Sequence, residues 1–421
     1  MMKSHCDEND DGLKTSSRLG GTRPAQGGDH RPASGIQLYD SARREFAPFA
    51  PASTTATLYT CGNTPDDLAH VGHAATASSY DVLRRALHGE GFNTRLVRNV
   101  TDVDDDIVTR CARQGLDYRD VAEECTLRFQ RSLDTLGLLP ATYEPRVTSH
   151  ISDIIRCVAQ LEARGHGYVV NGTVFFDVTS DSDFGRLSHL DEPSMIEISS
   201  KRGADPADPR KRHPLDFILW QAQAKSREPA WSSPWGSGRP GWHIECTAMA
   251  MRHLGTTIDL HGGGEDLIYP HHECSAAQSE ALSGRPLARH WMHVGMVRFT
   301  GQKMSKSLGN VVYIHDLLQR WEPAAVRLAL LANHYRSPWE WDETLVEHAT
   351  ERLERWRAAG TGLGGYREVR DALQHDLDTP TALEILDAIV TAGHGVSVAC
   401  ETLLGVRLVR PRIHLPRKVA A

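Results

Sequence analysis

Over residues 56–100 the apolar positions form three segments: a short continuous run, a stretch with helical spacing and a second short run. An apolar run at 56–61 predicts a strand, and apolar residues at helical spacing over 72–88 predict the helix that follows it. A second run at 94–100 predicts another strand. Because a strand–helix–strand unit of this length makes a right-handed crossover, we expect the two strands to be parallel.

The middle of the chain alternates in the same way but carries an interruption. Asn171-Gly172 lies between β-branched runs over 168–176, which is the pattern of a β-hairpin with a two-residue turn. We expect this hairpin to be inserted in the parallel sheet, and the sheet to resume at 217–220. The remaining strands are predicted at 257–260 and 290–296, helices at 118–136, 150–164, 243–253 and 272–283, and a Pro-, Gly-, Ser- and Trp-rich loop at 229–241.

The two ends of the chain differ from the middle. Residues 1–36 have almost no apolar periodicity and are rich in Gly, Asp, Ser, Arg and Pro, which predicts a disordered leader. After Asn310 the pattern is helical throughout, with helices predicted at 314–320, 323–334, 342–358 and 380–390. We therefore expect an α/β fold, with a Rossmann-like domain over 37–310, an insertion over about 140–215, a helical bundle over 311–400 and a basic tail over 401–421.

Composition narrows the class of protein. The 421 residues are 40% hydrophobic and 24% charged, which is ordinary for a soluble globular protein, and the net charge of −7 gives no support for a dominant nucleic-acid surface. No apolar run is long enough to cross a membrane, and the first residues lack the apolar core of a secretory signal. Eight cysteines are scattered without a disulfide framework, which predicts reduced thiols and a cytoplasmic location.

The turn between the first strand and helix concentrates reactive side chains. His70 and His73, three residues apart, share one face of the predicted helix, and the free N–H groups at a helix start favour an anion. Gly72 lets a ligand approach the backbone closely. With Cys61 before it, the turn suits a metal ion beside a phosphate, although a histidine pair on a helix is by itself more often structural.

Two other sets of residues lie far from this turn. The loop Lys303-Met304-Ser305-Lys306-Ser307 carries two lysines that could neutralise a polyphosphate, although alone it could be a solvated surface loop. Cys61, Cys246 and His271 have no local zinc-site spacing. Each of them does follow a strand or precede a helix, where the carboxyl edge of the sheet should be.

The order of the first two motifs carries a resemblance to a known family. His-Val-Gly-His at 70–73 followed by Lys-Met-Ser-Lys-Ser at 303–307, in a parallel α/β chain, resembles the class I aminoacyl-tRNA synthetase catalytic domain with its HIGH and KMSKS motifs. Segments 98–105, 240–246 and 261–273 are similar to cysteinyl-tRNA synthetases, in which zinc binds the substrate's thiolate and so rejects the hydroxyl of serine. The resemblance implies L-cysteine and ATP as substrates, with Mg²⁺, and one zinc ion per chain.

Four features are closer to the mycothiol cysteine ligases, relatives of those synthetases that join cysteine to glucosaminyl-inositol. Ser275 stands where the synthetases have a glutamate as fourth zinc ligand, and the predicted helix opens with His-Ala-Ala-Thr at 73–76. Arg-Gly-Ala-Asp-Pro at 202–206 resembles the ligases' Arg-Gly-Gly-Asp-Pro loop. Only 114 residues follow Ser307 (421 − 307), which leaves little room for an anticodon-binding module. The resemblance implies a monomer of mycothiol biosynthesis that forms cysteinyl adenylate, transfers cysteine to the amine of glucosaminyl-inositol and uses no tRNA.

The same resemblance implies roles for individual residues. Zinc would be held by Cys61, Cys246 and His271. The phosphates of ATP would be stabilised by His70 and His73, and the leaving pyrophosphate by the loop of Lys303 and Lys306. The cysteinyl adenylate would be contacted by Cys61, Gly62, Asn63, Thr64, Thr76, Asn99, Val100, Thr101, Trp242, Gly264, Glu265, Asp266 and, at the adenine, Val297.

Some positions depart from the family pattern. Asn63 replaces an apolar or proline residue and Asp66 a tyrosine, both close to the adenylate or acceptor, so another amine of secondary metabolism stays open as the acceptor. Cys274, beside the zinc region, is interpreted as a packed thiol. A short cysteinyl-tRNA synthetase and a catalytically inactive paralogue are the other hypotheses, and the intact phosphate motifs count against the second. A hydrolase is excluded because no Gly-x-Ser-x-Gly elbow is present.

Overall fold

A four-stranded parallel sheet connects the segments that hold the predicted chemistry. In the computed structural model, which describes residues 35–62, 64–224, 228–304 and 308–409, its strands follow the order 288–294, 258–264, 55–60 and 93–98. Each neighbouring pair is parallel. The predicted parallel crossover from the first strand to the next is therefore confirmed, and the residues that follow these strands share one edge of the sheet.

Most of the predicted elements are present, with boundaries that agree to within four residues. In chain order the described strands are β1 Gln37–Asp40, β2 Glu45–Pro48, β3 Thr55–Thr60, β4 Asn93–Arg98, β5 Gly167–Val170, β6 Thr173–Phe176, β7 Phe217–Ala222, β8 Trp231–Ser233, β9 Gly236–Pro240, β10 Ile258–Gly264, β11 Ala288–Val294, β12 Val297–Phe299, β13 Gln302–Lys303 and β14 Trp339–Glu340. The described α-helices are α1 Val71–Gly89, α2 Asp105–Gln114, α3 Tyr118–Thr135, α4 Ile151–Ala163, α5 Glu192–Lys201, α6 Trp242–Leu254, α7 Glu273–Ser283, α8 Ile314–Arg320, α9 Pro323–Leu331, α10 Thr344–Ala358, α11 Tyr366–Gln374, α12 Thr379–Thr391 and α13 Ser397–Leu403.

The inserted segment forms its own antiparallel sheet, in the order β5-β6-β7-β9-β8. The predicted hairpin is confirmed, because Asn171 and Gly172 both have positive φ, as its turn requires. The expectation that the parallel sheet resumes at 217–220 is wrong, since β7 pairs with β6 and β9 in the inserted sheet. An apolar run shows that a strand is buried but not which strands flank it.

The predicted loop at 229–241 is also wrong, since it contains β8 and β9. Glycine and proline are usually depleted in strands, which is why the composition indicates a loop. In this sheet the glycine has a packing role. A Cβ atom on Gly238 would lie 2.3 Å from the carbonyl oxygen of Gln221, so only glycine lets these two strands approach.

The chain after 311 is helical, as predicted, apart from the short strand β14, which pairs with β12. Two of its helices, α11 and α13, are missing from the sequence prediction. A buried ion pair ties this part to α1, because Arg327 on α9 is 0% exposed and pairs with Asp81. Burial by itself would raise the pKa of Asp81, but Arg327 and Arg85 outweigh it and lower that pKa. The carboxylate therefore stays ionised inside the protein.

Parts of the predicted organisation lie outside the described residues. These are nearly all of the leader, residues 1–34, and the end of the basic tail, residues 410–421. Within the described ranges, none of the helices combines the length and the apolarity that a membrane crossing needs.

Candidate active site and metal centre

The turn after β3 is built around a contact that only glycine allows. The backbone N–H of Gly62 donates to Asn99 Oδ1 at 2.8 Å, and a Cβ atom on Gly62 would lie 1.8 Å from the carbonyl oxygen of Asn99. Asn99 is held in turn by Thr101, to whose hydroxyl its Nδ2 donates at 3.1 Å. The ends of the neighbouring strands β3 and β4 are thus locked together. Asn63, predicted to contact the adenylate, lies outside the described residues.

His70 and His73 lie side by side at the helix start, and both also bind its backbone. His70 is the N-cap of α1, and its Nδ1 accepts the N–H of Gly72 at 3.1 Å. His73 Nδ1 accepts the N–H of His70 at 3.2 Å, and the two rings are 3.9 Å apart. Because each Nδ1 is an acceptor, Nε2 carries the proton of each neutral ring and can donate to a phosphate.

A cavity of about 570 Å³ lies over this turn and brings most of the predicted site together. Its size fits a nucleotide-sized ligand. Its walls include both phosphate motifs, since His70 and His73 line one side and Lys303 another. The other predicted residues on its walls are Cys61, Gly62, Thr64, Thr76, Trp242, Gly264, Asp266 and Val297.

The lysine loop is tied to the cavity through an acidic residue. Lys303 Nζ lies 2.7 Å from Asp266 Oδ2, and the same Asp266 accepts from Arg202 of the insertion through its backbone carbonyl at 2.9 Å. The side chain of Lys303 is 52% exposed, so it can move from this carboxylate onto a bound phosphate. Lys306, the second predicted lysine, lies outside the described residues.

Four residues predicted to contact the adenylate do not line this cavity. Asn99, Val100 and Thr101 are buried, and the two polar ones support the turn as described above. Glu265 instead accepts the N–H of Met296 at 3.0 Å, just before the strand of Val297. A strand-end position predicts the right edge of the sheet, but not whether a side chain faces the ligand or the protein behind it.

Cys61, Cys246 and His271 meet directly beneath the cavity. Their ligand atoms all lie within 4.8 Å of one another, and the two sulfur atoms are 3.7 Å apart. Two thiolates on a tetrahedral zinc ion with Zn–S bonds of about 2.3 Å stand about 3.8 Å apart, so this spacing fits zinc. Both cysteines are free thiols, because a disulfide would bring the sulfurs to about 2.0 Å.

The pKa values of the two cysteine thiols shift in opposite directions, and the shift favours the thiolate form at Cys246. The hydrogen bond from Cys61 lowers the pKa of Cys246 well below its ordinary value, against the opposing effect of burial, and His271 adds to the lowering. Burial raises the pKa of Cys61. Only Cys61 of the three also lines the cavity, so the cluster borders the cavity at this residue.

A second group of possible ligands shares Cys61, and one of its two histidines, His272, is held by hydrogen bonds through both ring nitrogens. The group comprises Cys61, His261 and His272. His272 uses both ring nitrogens, one at 3.2 Å from Cys61 Sγ and the other at 2.7 Å from His293 Nε2. Burial lowers the pKa of His272 well below its ordinary value and that of His293 to about 3, so these rings are neutral. We interpret them as the support behind Cys61.

Two neighbours of His271, Ser275 and Cys274, are engaged in other interactions and are not interpreted as metal ligands. Ser275, at the position where the synthetases have a fourth ligand, donates to the carbonyl oxygen of His271 at 2.8 Å. Cys274 is buried, and burial raises the pKa of its thiol well above the ordinary value, which agrees with a packed neutral thiol. Three protein ligands with a fourth position left for a substrate are typical of catalytic rather than structural zinc.

A second cavity of about 930 Å³ adjoins the first between the parallel sheet and the insertion. Thr64 and Trp242 line both cavities, and Trp242 also stacks on the ring of His271, 4.4 Å away. The walls of this cavity come from a loop-rich segment and from a strand that the sequence pattern places in the wrong sheet, so the cavity has no local signal in the sequence.

Some residues beside the metal ligands and the 570 Å³ cavity were not predicted, because the sequence around them carries no local signal for such a role. His243, in the segment 240–246, lies 3.1 Å from His271, measured between their Nδ1 atoms. Asp67 lines the 570 Å³ cavity and accepts from the hydroxyl of Tyr313 at 3.2 Å. Asp67 precedes the histidine motif and Tyr313 follows the lysine loop, so a side-chain hydrogen bond joins the segments that flank the two phosphate motifs.

Comparison with known proteins identifies the family of the chain. The family model described as the tRNA synthetase class I (C) catalytic domain matches residues 49–351. A protein of Nakamurella multipartita named L-cysteine:1D-myo-inositol 2-amino-2-deoxy-alpha-D-glucopyranoside ligase is 44% identical, over 89% of this chain and 96% of its own length. A protein of the same name from Mycolicibacterium gilvum is 41% identical, over 89% of each chain.

Solved structures agree on the fold. Methionyl-tRNA synthetase of Mycobacterium tuberculosis, in complex with methionyl-adenylate, superposes with a TM-score of 0.61 at 17% identity, over 84% of this chain and 88% of its own. Leucyl-tRNA synthetase of Agrobacterium radiobacter, in a ternary complex with tRNA, gives a TM-score of 0.57 at 12% identity, over 85% and 83%. At such identities the likeness concerns the fold alone.

Proposed function

Because the chain belongs to the family of L-cysteine:1D-myo-inositol 2-amino-2-deoxy-alpha-D-glucopyranoside ligases, within the class I (C) tRNA synthetases, we propose that it is the ATP-dependent cysteine ligase of mycothiol biosynthesis. It activates L-cysteine as cysteinyl adenylate and transfers it to the amine of glucosaminyl-inositol. The observation that carries this proposal is the meeting of Cys61, Cys246 and His271 beneath a cavity whose walls hold both phosphate motifs.

The reaction has two steps. A carboxylate oxygen of cysteine attacks the α-phosphorus of ATP, and the bond from that phosphorus to the bridging oxygen of the β-phosphate breaks, so that pyrophosphate leaves. The amine nitrogen of glucosaminyl-inositol then attacks the carbonyl carbon of the adenylate. A C–N bond forms, the C–O bond to AMP breaks, AMP takes the electron pair, and the amine loses a proton.

The residues around the first cavity stabilise the charge that develops in the first step. His70 and His73 present Nε2 donors at the start of α1, where the helix dipole also favours a phosphate. Lys303 carries a positive charge that can move from Asp266 to the departing pyrophosphate. Lys306, two residues beyond Met304, is assigned to the same pyrophosphate on the family pattern alone.

Cysteine selection is assigned to the metal centre. Zinc bound to Cys61, Cys246 and His271 would offer a free position that a thiolate fills and a serine hydroxyl fills poorly. The ring of Trp242 packs against His271, with the ring centroids 4.4 Å apart. The hydrogen bond from Ser275 to the carbonyl oxygen of His271 keeps the histidine on its helix start.

The experiment is cysteine-dependent ATP–pyrophosphate exchange combined with zinc analysis. The wild type is expected to hold one zinc per chain, and Cys246→Ala is expected to lose the zinc and to slow exchange by at least roughly 100-fold. Cys157→Ala is the matched control, because Cys157 lies outside both possible metal groups. Exchange that survives in Cys246→Ala would overturn the role of the metal centre.

Product analysis tests the acceptor. Glucosaminyl-inositol, cysteine-accepting tRNA and other amines are offered to the wild type with cysteine and ATP, and the amide of glucosaminyl-inositol is the expected product. We propose further that the enzyme acts as a cytoplasmic monomer and uses no tRNA; of these three properties, the net charge of −7 supports the last. Charged tRNA without the amide would refute the ligase function.

A further inference from the structure

We propose that the 930 Å³ cavity between the parallel sheet and the insertion is the acceptor site, and that it takes a polyhydroxylated amine. This assignment rests on the proposed ligase function, because it locates the second substrate of that reaction. Its volume is in the range of small-molecule sites, and it is separate from the cavity that holds both phosphate motifs.

The position of the cavity is the first argument. The acceptor amine has to reach the carbonyl carbon of the cysteinyl adenylate, which lies between the metal centre and the phosphate motifs. Thr64 and Trp242 form a wall common to both cavities, and Trp242 also stacks on the metal ligand His271. A ligand in the second cavity therefore has its nearest approach to the adenylate at the point where cysteine is held.

The polar groups on the walls are the second argument. Glu245, on the side of the sheet, is 2% exposed, and within the described part of the chain its Oε2 has no hydrogen-bond partner. A buried carboxyl oxygen without a partner is costly, and an amine or hydroxyl from a ligand would satisfy it. Trp242 and Phe217 offer ring faces against which the C–H face of a sugar ring can pack.

The insertion supplies donors on the opposite side. Among the described residues, Lys211 forms no ion pair, and its Nζ donates only to the carbonyl oxygen of Pro214, at 3.4 Å. Burial lowers the pKa of this ammonium below its ordinary value, which shows that the group is partly withdrawn from water. Gln221 on β7 lines the same cavity, and its Nε2 makes one long contact of 3.4 Å to the carbonyl oxygen of Ala222. These are donors with capacity left for the hydroxyl groups of a polyol.

The test separates the two half-reactions. Lys211→Met and Gln221→Ala are assayed by cysteine-dependent ATP–pyrophosphate exchange and by amide formation with glucosaminyl-inositol. We expect the KM for glucosaminyl-inositol to rise about tenfold or more in each variant, as the loss of one hydrogen bond to the ligand would produce. Exchange should stay within about twofold of the wild type, which also shows that the variant is folded.

The neighbouring Arg212 provides the matched control. Its side chain is 64% exposed, pairs with Asp177 and does not line the cavity, so Arg212→Met should leave the acceptor KM unchanged. An unchanged acceptor KM in both cavity variants, with amide still formed, would overturn the acceptor site alone. A wild type that activates cysteine but forms no amide with glucosaminyl-inositol would overturn the proposed function and the acceptor site with it.

Discussion

Replacing Gly62 by alanine tests whether the locked turn after β3 positions the active site. The added Cβ would lie 1.8 Å from the carbonyl oxygen of Asn99, and real contacts of this kind are at least about 3.0 Å, so the two segments must separate by about 1.2 Å (3.0 − 1.8). The hydrogen bond of 2.8 Å from Gly62 to the Asn99 side chain is stretched by the same movement. Since Cys61 precedes this position and Thr64 follows it, both walls of the substrate cavity move.

The expected loss follows from that distance. A misplacement of about 1 Å can reduce catalysis by about 100-fold, which corresponds to about 2.7 kcal/mol in the activation free energy. Overpacking of this kind reduces the free energy of unfolding by about 1–3 kcal/mol, so the variant still folds. The assay is cysteine-dependent ATP–pyrophosphate exchange, with a thermal melt to verify folding.

A second glycine of the same region is the control. Gly89 is the last residue of α1, and a Cβ there would meet its nearest neighbour, Leu403, at an ordinary contact distance of 3.5 Å. Gly89→Ala should therefore retain full exchange activity and unfold no earlier than the wild type. If Gly62→Ala kept exchange within threefold of the wild type, the geometric reasoning about this turn would be refuted.

Two further substitutions test the buried ion pair and the lysine loop. Arg327→Met removes one of the two cationic partners of the buried Asp81 and leaves Arg85, so we expect a loss of about 1.5–3 kcal/mol in the free energy of unfolding by urea, clearly more than for Arg320→Met in an exposed pair. Because the pKa of Asp81 is lowered in the folded protein, its stabilisation is present above about pH 4 and lost as the pH falls through the folded value, so the difference between wild type and Arg327→Met should shrink in acid. Lys303→Gln should reduce the kcat of exchange by about 100-fold, whereas Lys201→Gln, whose exposed side chain pairs within its own helix, should change it little; equal effects of the two would contradict the role of the loop.

The elements that the sequence predicted correctly are those with a local physical signal. Asn171-Gly172 defines its hairpin because both residues must have positive φ, and that requirement is met within two residues. The helix after Gly72 and the strands around it are specified by apolar spacing over a short window. The strand at 217–222 was found but placed in the wrong sheet, because its partners β6 and β9 are chosen by tertiary packing.

In the candidate site, too, some features were predictable from the sequence and others depend on tertiary packing. Residue types and strand-end positions pointed to the turn of His70 and His73, whereas its pairing with Lys303 and the set Cys61, Cys246 and His271 came from the family resemblance; the structure brings the first three to one cavity and the second three to one cluster beneath it. They could not show which strand-end residues face the ligand. Asn99 and Thr101 have the polarity of ligand contacts, yet they bond to each other and to the turn. Orientation depends on the neighbouring strand, which a one-dimensional pattern does not contain.

The arrangement of the two cavities explains how one fold can change its acceptor while keeping its first reaction. The phosphate motifs and the metal ligands lie on the turns and helix starts of the parallel sheet, around the 570 Å³ cavity. Much of the 930 Å³ cavity is built by the inserted segment, which supplies Lys211 and Gln221. Substitutions in the insertion can therefore alter the amine that is acylated without moving the groups that activate cysteine, and Trp242, which lines both cavities, is the residue whose replacement should affect both half-reactions.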